Sequence, residues 1–100
     1  MEKYQTNWAK KVVVQGNSTS DPFYIPDHFN EFSIGVAPGP GNAIIQFSIS
    51  TKEDIESGNA NWHDWTLGNV SSGVDGLTFP IMAIRLTTTT SNPKTMEICG

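Results

Sequence analysis

Two stretches of strict alternation limit this chain to pleated structure. In residues 43–50, Ala43, Ile45, Phe47 and Ile49 fall on one side of an extended backbone. Ile44, Gln46, Ser48 and Ser50 fall on the other. A period of two with one apolar side is the pattern of a strand that buries one face and wets the other. Residues 81–88 repeat it, placing Met82, Ile84 and Leu86 inward and Ala83, Arg85 and Thr87 outward. The run of threonines at 87–90 adds β-branched residues that disfavour helix. Phe32, Ile34 and Val36 mark a third strand, Met96 and Ile98 a last one. Residues 8–14 form a first strand, whose Val12-Val13-Val14 leaves the inward side open.

Turn chemistry punctuates these strands. Pro38-Gly39-Pro40-Gly41-Asn42 lies between two of them, and proline followed by glycine fits a type II turn, which predicts a hairpin over 32–50. Gly16 to Pro22 breaks the first strand, Ser91-Asn92-Pro93 predicts a closing hairpin, and 68–76 is a polar connector. One helical signal exists. Thr51 with Asp54 three residues later resembles a capping box, and Gly58 is placed to stop the turn, so a short helical turn is expected near 52–57. Strands of this length without crossover helices predict an all-β fold: a small antiparallel β-sandwich, jelly-roll-like, with a small barrel as the competitor. The 100 residues make one domain, with residues 1–7 as an extended arm outside it.

A domain of this size buries roughly two-thirds of the surface of its unfolded chain. Its core must come from the 37% of residues that are apolar, because Cys99 is the one cysteine and closes no intrachain disulfide. One cysteine and two distant histidines, His28 and His63, also make a poor zinc site, and no cofactor is expected. A net charge of −4 with only six basic residues argues against binding nucleic acid, which needs Lys and Arg to displace counterions. No apolar run reaches the ~20 residues of a membrane helix. Residues 1–11 lack the apolar core of a secretory signal, so assembly in a reducing cytoplasm is expected. Without secretion, the sequons at Asn17 and Asn69 read as turn chemistry.

Candidate chemistry is sparse. Lys52-Glu53-Asp54-Ile55-Glu56 is acidic, but Ile55 interrupts it and no glycine bend follows the spacing of a calcium loop. His63, Asp64, Ser71, Ser72 and Asp75 supply the letters of a triad without a nucleophile elbow. Asp64 and Asp75 are a carboxylate pair whose separation the sequence does not set. No catalytic residue is assigned and no enzyme is expected. The aromatic residues say more. Phe23, Tyr24 and Phe29 lie in a proline-spaced segment, and Trp62 and Trp65 are three apart in a turn-rich one. They cap the ends of a sandwich or offer rigid contact area to a partner, and with Arg85, outward on its strand, they are the interface candidates.

Phe79-Pro80-Ile81-Met82-Ala83-Ile84-Arg85-Leu86, with Gly76 before it and the threonine strand after it, resembles a family of small virion structural proteins of tailed bacteriophages. The likeness continues through Asn17-Ser18-Thr19-Ser20, Pro22, Phe32-Ser33-Ile34-Gly35-Val36, the acidic loop and Trp62, and departs at Pro38-Gly39-Pro40-Gly41. It implies a capsid decoration (cement) protein on the outside of the head, assembled in the bacterial cytoplasm. Its implied partners are the major capsid protein and further copies of itself. Placement in the tail or neck is the alternative within that class. Outside it stands a carbohydrate- or receptor-binding module using Trp62, Trp65 and Tyr24. The family carries no catalytic or ligand residues over.

Overall fold

The computed structural model describes residues 9–25, 31–77 and 80–100. Within these residues eight strands run in the order β1 (Ala9–Val14), β2 (Phe23–Tyr24), β3 (Phe32–Val36), β4 (Ala43–Ser48), β5 (His63–Asp64), β6 (Gly73–Leu77), β7 (Ala83–Thr88) and β8 (Lys94–Cys99). Among the described residues one helix, α1 (Lys52–Ser57), lies between β4 and β5. The strands make two four-stranded sheets, β1-β8-β3-β6 and β2-β7-β4-β5, and every pairing is antiparallel. β1 pairs with β8, β2 with β7, β3 with β6 and β4 with β5. That is the pattern of one long ribbon folded at β4–β5 and rolled up, the jelly-roll-like sandwich expected from short strands without crossover helices.

This topology corrects two expectations. β3 and β4 do not form a hairpin, because β3 belongs to the first sheet and β4 to the second. β7 and β8 likewise lie in different sheets. The loops at 38–42 and 91–93 therefore cross between layers. They run side by side: the Thr90 hydroxyl accepts from the Asn42 amide at 3.1 Å, and the Thr89 amide donates to the Asn42 carbonyl at 3.0 Å.

The alternation places the core well, with local exceptions. Phe32, Ile34, Val36, Ile45, Ile84, Leu86, Met96 and Ile98 are buried between the sheets. In β1, Val14 joins them and Val13 points outward at 60% exposure, which settles the inward side. Ile49 is not inward: β4 ends at Ser48, and Ile49 is 68% exposed. Met82 precedes β7 and is only half-buried, while Ile81 and Ala83 are buried. Ala83 and Ser48 pair across β7 and β4 on the outer face, yet neither is exposed. Ile55 of α1 is also buried without belonging to the core between the sheets. Lys52, one turn away, holds its Nζ 5.1 Å from the centre of the Tyr24 ring. Tyr24 pairs with Ala83, so α1 lies over this corner of the second sheet.

The helix itself follows its caps. The Thr51 side chain accepts from the Asp54 amide at 3.2 Å, and Gly58 ends the turn in the left-handed region at φ 83°. No helix among the described residues is long and apolar enough to cross a membrane. Residues 1–7, Trp8, His28, Phe29 and Phe79 lie outside the described residues.

Candidate functional site

Register builds a polar patch on the outer face of the second sheet. Asp64 of β5 is opposite Gln46 of β4, and Gln46 is opposite Arg85 of β7. Neighbouring strands are ~4.8 Å apart, so these side chains form one cross-strand row. The Gln46 amide joins them: its Nε2 donates to Asp64 Oδ1 at 2.8 Å, and its Oε1 accepts from Arg85 Nε at 2.8 Å. The Thr87 hydroxyl approaches the same oxygen at 3.4 Å and lies 3.1 Å from the Thr19 hydroxyl.

Trp62 completes the patch. Its ring centre is 4.1 Å from the Arg85 guanidinium carbon, a stacked cation–π contact. Both side chains are half-buried. Partial burial lowers the Arg85 pKa from its ordinary value, because desolvation disfavours the cation. Arg85 and Trp62, chosen separately from the sequence, are thus one unit. Gln46, which sequence reasoning passed over, orients it. Its place on the wet side of β4 was visible, but a cross-strand partner was not.

The other candidates separate. Tyr24 is half-buried beside α1, where burial first and then the Glu56 carboxylate raise its phenol pKa. Phe23 packs against the core from β2, with Lys10 Nζ 5.9 Å from its ring centre. Trp65 is a core residue at 6% exposure, and the expectation of a partner contact there is corrected. Its ring meets Phe47 edge-on at 5.6 Å, and its Nε1 donates to Asp75 Oδ2 at 2.9 Å. Phe29 lies outside the described residues.

The paper triad and the carboxylate pair are both occupied elsewhere. Asp75 is held by Trp65 and by the Gly76 amide at 2.8 Å, and Asp64 by Gln46. His63 is exposed, with its ring 5.4 Å from that of Phe47. Among the described residues, no group of three or more His, Cys, Asp or Glu side chains is placed to hold a metal ion.

A second surface lies on the outer face of the first sheet. Lys11, Glu97, Gly35 and Val74 stand in one row, and Ala9, Cys99, Ser33 and Gly76 in the next. Small residues floor a shallow depression of ≈ 520 Å³ there, and Val74 rises beside it at 76% exposure.

No protein-family model matches the chain, and no curated protein matches it. Among solved structures, it is similar to an oxalate oxidase in complex with the substrate analogue glycolate, at 18% identity and a TM-score of 0.54. That match covers 93% of this chain, which spans 40% of the length of the oxidase chain, and it supports the fold alone. A Bacillus endospore appendage protein, from disulfide-linked pili, matches at 15% identity and a TM-score of 0.45, over 97% of this chain and 89% of its own.

Proposed function

We propose that this chain is a structural protein of a tailed-bacteriophage virion: a capsid decoration protein that binds coat subunits on the head exterior, as a homo-oligomer, and catalyses nothing. The observation that carries this reading is the outer face of the first sheet. Val74, 76% exposed, rises there beside a floor of Gly35, Ser33 and Ala9, and Val13, 60% exposed, lies further along β1 on the same face. A shallow face with an apolar floor and Lys11 and Glu97 in the same row suits another protein surface better than a small molecule, which needs a cleft enclosing most of its area.

The sequence resemblance supplies the virion context, and jelly rolls recur in viral capsid proteins, an argument by analogy. Low charge and a surface rich in Ser, Thr and Asn fit a role in protein packing, since Lys and Glu are depleted at interface cores. Each copy need bind only weakly, because many simultaneous contacts raise avidity by ~10²–10⁴. Quantitative mass spectrometry of purified particles tests the proposal. Hundreds of copies per particle, accessible to protease from outside, are expected. About a dozen copies would move the chain to the tail or neck, and its absence from particles would end the reading.

A further inference from the structure

We propose that Arg85 is a preorganised receptor for a carboxylate, filled by an Asp or Glu side chain of a partner protein. The proposal rests on the reading that this chain works through its surfaces, and it names the chemistry of one contact.

Two contacts hold the guanidinium in a single plane. Trp62 covers one face at 4.1 Å, and the Nε edge is taken by Gln46 at 2.8 Å. Gln46 is itself oriented, because its Nε2 donates to Asp64 at 2.8 Å. What remains is the Nη edge, for which no acceptor is found among the described residues. An arginine in free solution loses rotamer entropy on binding; here that loss is taken during folding, and the fork geometry that matches a planar carboxylate is already set.

The intramolecular acid does not fill the role. Asp64 lies two strands away, roughly 10 Å along the row, with the neutral Gln46 amide between the charges. Desolvation has therefore weakened the hydration of this cation without giving it a direct counter-ion. The planar guanidinium fork matches a carboxylate, and phosphate, which arginine also binds, is the competing anion that the test separates. Thr87 and Thr19 extend a line of hydroxyls beside the fork, polar partners for a peptide backbone that carries the acid.

The test is a titration of the ¹⁵N-labelled full chain at constant ionic strength, read at the Arg85 Nε–H and Trp62 indole resonances. Trp65, buried against Asp75, is the internal reference. The probes are acetylated, amidated tetraglutamate, the matching tetraglutamine, acetate and inorganic phosphate. Tetraglutamate should shift both resonances and saturate, on the order of millimolar. Arg85→Lys keeps the charge but not the fork and should weaken binding roughly tenfold at the Trp62 signal. Trp62→Leu, which frees the guanidinium plane, should weaken it less. Circular dichroism confirms that each variant is folded. An equal response to tetraglutamine, tighter binding of phosphate, or full binding by Arg85→Lys overturns the proposal. Acetate matching tetraglutamate per carboxylate would reassign the site to free small acids and remove the protein partner. These outcomes are independent of copy number in particles, so either reading can fail while the other stands.

Discussion

Trp65 and Asp75 join the two sheets through one hydrogen bond, the indole Nε1 donating to Oδ2 at 2.9 Å. Trp65 follows β5 in the second sheet, where its amide also donates to the Ile45 carbonyl at 2.7 Å. Asp75 stands on β6, the edge strand of the first sheet, paired with the buried Ile34. A carboxylate on the inward side of an edge strand discourages pairing with another chain, and here the indole satisfies it.

This bond makes stability depend on acid. The Trp65 indole first, then the Gly76 amide and the Thr66 side chain, hold Asp75 below the ordinary carboxylate value of 3.8. A carboxyl whose folded pKa is depressed adds stability above its unfolded value and loses it as pH falls through the folded one. Urea midpoints should therefore drop below about pH 4. Asp75→Asn should flatten that drop, and an unchanged profile in the variant would dismiss the bond as its source.

Lys94 is 3% exposed and clamps two loops, its Nζ donating to the Gly39 carbonyl at 3.0 Å and the Ser71 carbonyl at 2.7 Å. Lys94→Met keeps the length and orphans both carbonyls. A loss of about 2 kcal/mol in urea unfolding is expected, since hydrogen bonds to charged groups contribute ~1.5–3 kcal/mol. A neutral result would mean that water replaces the ammonium.

Gly35 cannot carry a side chain. A Cβ there would lie 2.6 Å from the Gly73 carbonyl oxygen, which is backbone and cannot step aside. Gly35→Ala should push β6 away from β3. Hydrogen exchange should quicken at Val74 and Gly76, with a global cost of about 1–3 kcal/mol. Protection equal to wild type would contradict the close approach.

Gly58 and Thr51 separate conformation from packing at the helix. Nothing lies within 4 Å of a Cβ at Gly58, so Gly58→Ala tests the left-handed backbone alone, at about 1 kcal/mol. Thr51→Ala removes a cap and should cost a similar ~1 kcal/mol. The sites are seven residues apart at opposite ends of α1, and the double variant should be close to additive in thermal unfolding.

Much of this was legible in the residues. Thr51, Asp54 and Gly58 announced α1 because capping is a contact among neighbours in the chain. Phe32, Ile34, Val36, Met96 and Ile98 announced a buried face because the pleat turns every second side chain the same way. Trp65 misled for the same reason. Beside Trp62 in a polar stretch it looked like a surface ring, and only the arrival of Asp75 from another sheet gives its indole a hydrogen-bond partner.

The local code, then, determined that strands form, where they turn, which of their faces is greasy and where one helical turn sits. Only tertiary structure decided which strand lies beside which. Backbone amides and carbonyls are alike in every residue, so period two does not say that β3 pairs with β6 and β8 rather than with β4. The row from Asp64 through Gln46 to Arg85 spans three strands brought together by that choice, and the candidate site exists only once the ribbon has rolled.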